Sequence, residues 1–151
     1  MKPLIVLLVV FVISVIVLKI LQRQLDFSLA ARIAMAAMLC FSAIGHFIYI
    51  QGMSMMIPEI IPFKQILVLL TGFFEIAAAL SLLIPRLQVF TAWILIVFLI
   101  LVLPANIYAA IKQVDYQNGT YQGNSSMYLW FRIPLQFFFI LWIYFSAIKH
   151  W

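Results

Sequence analysis

Ile66-Leu-Val-Leu-Leu-Thr-Gly-Phe-Phe-Glu75-Ile-Ala-Ala-Ala-Leu-Ser-Leu-Leu-Ile84 is a run of nineteen residues that is apolar or small except at Glu75. A run of that length spans the hydrocarbon core of a bilayer as a helix, which needs about 20 residues. An acidic side chain at such depth costs ~3 kcal/mol or more and normally faces partners or a cavity. Glu75 therefore decides two things at once: the segment crosses a membrane, and one face of it meets polar groups from other helices.

Working outward, four further apolar blocks appear. The first covers Leu4 to Leu18 and extends past Lys19 to Leu21; the second runs from Ile33 to Ile50. Pro85 and Arg86 end the Glu75 span, and a short turn leads to a fourth block, Val89 to Ile111. The fifth covers Tyr128 to Ile148. The chain is 68% hydrophobic and 9% charged, against about a quarter charged in a soluble domain, so almost nothing remains outside the membrane. The fold class expected is all-α, a polytopic membrane helix bundle, because helices satisfy their backbone groups within each span. The alternating ten-residue segments of a membrane barrel are absent. The first block is followed by Lys-Ile-Leu-Gln-Arg-Gln and not by a small-residue cleavage site, which argues for an uncleaved span over a signal peptide.

The net charge of +5 comes from basic residues placed singly near helix ends, which suits membrane anchoring and not nucleic acid. Lys19, Arg23, Arg32, Arg86 and Lys149 fall on one side, and Lys2, Lys64 and Lys112 on the other. The excess in short loops predicts an amino terminus outside and a cytoplasmic carboxyl terminus. The sole cysteine, Cys40, lies in an apolar span and excludes a self-contained thiol-redox mechanism. Two loops then face outward. Gln51 to Gln65 is apolar with Pro58 and Pro62, and reads as an interfacial turn or re-entrant piece; Lys112 to Met127 is polar and exposed. Asn118 and Asn124 begin glycosylation-pattern triplets, for which chance matches in a polar loop are the simpler account.

Helical rise assigns each intramembrane polar residue a depth from the outer surface. His46 and Arg132 lie about 6 Å deep, Asn106 about 8 Å, Gln136 about 12 Å and Glu75 about 13–14 Å. All five occupy the outer half and come from four different spans, and the inner half offers nothing comparable. Arg132 and Gln136 share a face; Ser42, His46 and Tyr49 share a stripe; Gly72 and Ala79 flank Glu75, where small residues let helices approach closely. Pro104 kinks its span, and Asn106 is placed to satisfy freed carbonyls. Glu75 and Arg132 are the expected pair, with Trp130 beside them. Such a group can hold a polar head group, relay a proton, do acid/base work on a lipid-soluble substrate, or simply lock helices together. One histidine and scattered carboxylates lack metal-ligand spacing, so no metal site is expected. Trp93, Trp130, Trp142 and Trp151 include interface anchors.

Phe41-Ser-Ala-Ile-Gly-His-Phe47, Ile57-Pro-Glu-Ile-Ile-Pro62, Thr71-Gly-Phe-Phe-Glu-Ile-Ala-Ala-Ala-Leu80, Pro104-Ala-Asn-Ile-Tyr108 and Leu129-Trp-Phe-Arg-Ile-Pro-Leu-Gln-Phe137 together resemble the DoxX-like membrane proteins of bacteria. The likeness covers Ala31 to Tyr144, and its most specific parts are the Gly-x-x-Glu and Trp-x-Arg-x-Pro-x-Gln segments. It implies a four-helix membrane domain over 30–150, with residues 1–24 as an added amino-terminal span. It also implies a bacterial inner membrane and a redox-associated role with a quinone as ligand and an oxidoreductase subunit as partner, since the family name comes from a thiosulfate:quinone oxidoreductase subunit. His46, Glu75, Asn106, Trp130, Arg132 and Gln136 match the family's polar pattern. On that expectation Arg132 holds an anionic or carbonyl oxygen, Glu75 fixes Arg132 or exchanges a proton, and His46, Asn106 and Gln136 orient the ligand. Two other readings stand beside it. One is a non-enzymatic scaffold or accessory subunit whose polar cluster is structural. The other is a small transporter, which an inverted repeat would favour and for which the sequence shows no repeat.

Overall fold

The computed structural model describes residues 2–22, 26–123 and 125–149; Arg23, Asn124 and Trp151, named above, lie outside them. Its helices are α1 (Lys2–Gln22), α2 (Phe27–Ile48), α3 (Ile50–Ser54), α4 (Lys64–Leu83), α5 (Gln88–Ile111) and α6 (Ser125–Ile143), and α6 continues as a π-helical segment, Tyr144–Lys149. Five helical stretches are long and apolar enough to cross a membrane, so the protein is a multi-pass membrane protein of all-α class. Among the described residues the only β pairing is the isolated bridge Asp115–Thr120.

Helix α2 is the hub. It packs against α1 on one side and α4 on the other; α4 meets α5, α5 meets α6, and the π-helical segment returns to α2 and α5. The four longest-range partners thus form a ring, with α1 outside it. Composition explains this order. Ala30, Ala31, Ala34, Ala36 and Ala43 are buried along α2, so neighbours approach it closely from two sides. In α1, by contrast, Leu7, Ser14 and Leu18 are buried while Ile5, Val9, Val12, Ile13, Ile16, Val17 and Ile20 are exposed, which is a lipid-facing helix held by one stripe. The core of the ring gathers Met35, Met38, Leu39, Ala78, Ala79, Leu82, Ala92, Leu95, Ile96 and Ile143.

Helix α2 starts six residues earlier than the apolar block suggested. Asp26 Oδ1 accepts from Leu29 N at 2.8 Å, capping the helix before its first charged residue. The far end also differs: α2 stops at Ile48, Tyr49 breaks the helix, and α3 follows as a single short turn of helix. Past α3 the chain turns through Pro58 and Pro62 to the left-handed Phe63 (φ 56°), which starts α4. Ile60 in this segment is 93% exposed, as an interfacial side chain should be. The loop after α5 is tied down at both ends. Val114 is buried against Met56 and Ala109, and Gly52 of α3 backs onto Tyr116, where a Cβ would sit 1.8 Å from the carbonyl oxygen.

Candidate functional site

The sequence-predicted polar residues separate into two groups. The first lies between α2 and α4. Ser42 Oγ donates to Glu75 Oε1 at 3.3 Å, and His46 Nε2 stands 3.6 Å from the same oxygen. On the other side of the imidazole, Nδ1 is 3.0 Å from Thr71 Oγ1 and 3.2 Å from the Val68 carbonyl oxygen, to which Thr71 Oγ1 itself donates at 2.8 Å. Antiparallel helices make this meeting possible. Side chains lean toward the amino terminus of their own helix, so His46 and Glu75 reach toward each other from staggered positions. Gly72 supplies the room: a Cβ there would lie 2.9 Å from His46 Cβ. Glu75 is only 6% exposed, and its second oxygen, Oε2, is buried without a hydrogen-bond partner.

The second group lies between α5 and α6. Arg132 Nη1 donates to Asn106 Oδ1 at 3.2 Å, and Asn106 Nδ2 donates to Gln136 Oε1 at 3.2 Å. Gln136 Nε2 in turn donates to the Leu99 carbonyl. Each amide accepts with its oxygen and donates with its nitrogen, so the chain runs in one direction from guanidinium to backbone. Pro104 leaves the carbonyl of Ile100 without its helical N–H, and Gln136 bonds the neighbouring carbonyl. This is a correction, since Asn106 was the residue expected to serve freed carbonyls. The cleft at this seam, lined by Leu99, Leu103, Ile133, Gln136 and Phe137, holds about 50 Å³.

Three further expectations change. Among the described residues, the ionisable side chain beside Glu75 is that of His46, while Arg132 bonds Asn106. Trp130 is 83% exposed, away from the polar groups, because two residues along a helix turn it about 200° from Arg132. The opposite end of the bundle is not free of buried polar groups: Arg32, within α2 and buried, donates to Gln88 Oε1 at the start of α5 and to the Ser28 carbonyl. Arg32 had been placed outside its span because the Asp26 cap was not recognised. Thr71 was also missed, although its place four residues before Glu75 puts it on the same face. Trp142 is a packing residue, not an anchor; its indole N–H donates to Ala31 O at 3.1 Å and its ring stacks edge-on against Phe11.

Among comparisons with known proteins, no curated protein and no solved structure matches the chain. One family model does, described as a domain of unknown function (DUF8561), and it spans residues 35–147. That interval carries both polar groups and most of the four-helix ring, with α1 outside it, and the chain belongs to this family.

Proposed function

We propose that this is a DoxX-like, redox-associated membrane protein that binds a lipid-soluble ligand of the quinone class at the α2/α4 couple, on behalf of an oxidoreductase partner in the inner membrane. The observation that carries this reading is the orphaned Oε2 of Glu75. Buried polar atoms are nearly always bonded, and leaving one unmade costs about 1–3 kcal/mol. A carboxyl oxygen kept without a partner next to an imidazole is suited to a group from outside the chain. Quinone carbonyls accept hydrogen bonds and quinol hydroxyls donate them, and a carboxyl–imidazole couple can answer both. Electron transfer itself belongs to a bound cofactor or the partner, because no residue here carries electrons. Entry from lipid runs along the α2/α4 seam, where the Phe47 ring covers Gly72 and meets Phe73 edge-on at 5.1 Å.

The orientation consistent with this reading has the amino terminus and the Lys64–Lys112 end outside, and the Arg32–Arg86 end in the cytoplasm. The structural reading is favoured for the α5/α6 group alone, since its donors and acceptors form a closed chain. The test is binding of ubiquinone and menaquinone analogues to purified protein in nanodiscs. Glu75→Gln is expected to lose binding at least tenfold while melting near wild type. Arg132→Met is expected to melt lower and still bind. Equal analogue affinity in wild type and Glu75→Gln overturns the proposal.

A further inference from the structure

The contacts around His46 fit two tautomers of its ring. Thr71 has one hydroxyl hydrogen, and its shorter contact, 2.8 Å, directs that hydrogen to the Val68 carbonyl. With Thr71 so bonded, the 3.0 Å contact is made by a hydrogen on Nδ1, which the Val68 oxygen 3.2 Å away also accepts; with Thr71 turned to Nδ1, the ring hydrogen is on Nε2 and faces Glu75. Nε2 is left facing Glu75 Oε1 at 3.6 Å, with Ser42 donating to that oxygen from the side. Nε2 and the carboxyl are placed to exchange one proton. A second proton has a place to go, on Oε2.

The surroundings give that proton one exit. Toward the Lys64–Lys112 end, Glu75, Thr71, Val68 and Lys64 follow one another on a face of α4, and His46 lies two residues from the end of α2 with its side chain 17% exposed. Toward the Arg32–Arg86 end, the same seam is filled by Ala78, Ala79, Leu82, Met35, Met38 and Leu39, all buried and apolar. Among the described residues no other charged group contacts the couple, and Arg32 of α2 is bonded to Gln88 at the other end. Helices α3 and α5 contain none, α1 has lysines only near its ends, Arg132 of α6 is bonded to Asn106, and the next charge along α4 is Lys64.

We propose that His46 and Glu75 form a one-sided proton-exchange site, loaded and unloaded only from the Lys64–Lys112 end, and not a step in a path across the membrane. This rests on the α2/α4 couple being the functional site but needs no quinone. When an acidic ligand hydroxyl reaches Oε2, its O–H bond breaks as an Oε2–H bond forms, the ligand remains as the oxyanion, and one proton leaves through the His46 ring to that same end.

The experiment is infrared spectroscopy of the full chain, uniformly oriented in sealed, quinone-free proteoliposomes, with pH changed on one side at a time. Glu59 and Glu75 are the only two glutamates, so ¹³C-glutamate labelling in a Glu59→Gln background assigns the Glu75 carboxyl band even where Glu75→Gln folds poorly. The expected result is a band that titrates when pH changes on the Lys64–Lys112 side and stays fixed when it changes on the other. His46→Asn is expected to slow the band's response to a pH jump on the Lys64–Lys112 side at least tenfold, because the imidazole that carries the proton out is gone. A band answering to the Arg32–Arg86 side, or to neither side, overturns the proposal. Failure of quinone analogues to bind, with this titration intact, removes the ligand reading and leaves the proton site standing.

Discussion

Glu75 and Asp115 show how differently two carboxylates behave in one chain. Glu75 keeps one oxygen against His46 and Ser42 and leaves the other without a partner in the bundle. Asp115, in the loop after α5, is surrounded by donors. Asn118 Nδ2 reaches Oδ2 at 2.7 Å, and the amides of Gln117 and Asn118 reach Oδ1 at 3.0 and 3.3 Å. The Asn118 side-chain bond, first, and those amides hold the Asp115 carboxyl below the ordinary carboxylate range. A lowered folded value means the stabilisation is complete above the unfolded value, about 3.9, and is lost as pH falls through the folded one. The protection of the Gln117 and Asn118 amides relative to an unstructured chain is therefore expected to persist at neutral pH and to be lost only below about pH 4. Asp115→Asn should make exchange fast at every pH; unchanged protection in that variant would remove the side chain from the account.

At the scale of elements, two short-range features set how α2 meets its neighbours. The Asp26 cap fixes where the helix begins and so draws Arg32 into the bundle, opposite Gln88. Asp26→Ala is expected to cost about 1 kcal/mol, read as a lower melting temperature in detergent. Gly72 sets the spacing of the α2/α4 seam. Its missing Cβ faces His46 Cβ, which belongs to the rigid base of a side chain and cannot swing aside. Gly72→Ala is expected to separate the helices and cost roughly 1–3 kcal/mol, with loss of the His46–Glu75 contact. Histidine ring ¹⁵N shifts measure that contact directly, and an unaltered spectrum in Gly72→Ala would contradict the spacing described. Trp130 makes the same point about faces: its neighbour two residues on belongs to the polar chain, while the indole itself points outward.

Across the whole molecule, polar side chains among the described residues tie the ring between several helices: Arg32–Gln88 joins α2 to α5, His46–Glu75 joins α2 to α4, and Arg132–Asn106–Gln136 joins α6 to α5. Gln88→Leu removes an acceptor from a buried guanidinium and is expected to cost about 1.5–3 kcal/mol, checked by thermal melting, with ligand binding retained. A variant as stable as wild type would show that Arg32 finds its bonds elsewhere. The membrane class, the five spans and the burial of Glu75 were legible from the amino-acid order alone, because the length and hydropathy of a span are local properties that lipid enforces on each helix separately. Partner choice was not. Depth placed Glu75 and Arg132 in the same half of the membrane, but which side chains touch depends on the order of helices around the ring and the rotation of each about its axis. With α2 beside α4 and α5 beside α6, the carboxylate meets an imidazole and the guanidinium meets an amide. Those choices come from packing of small and large side chains between helices, which no single stretch of sequence contains.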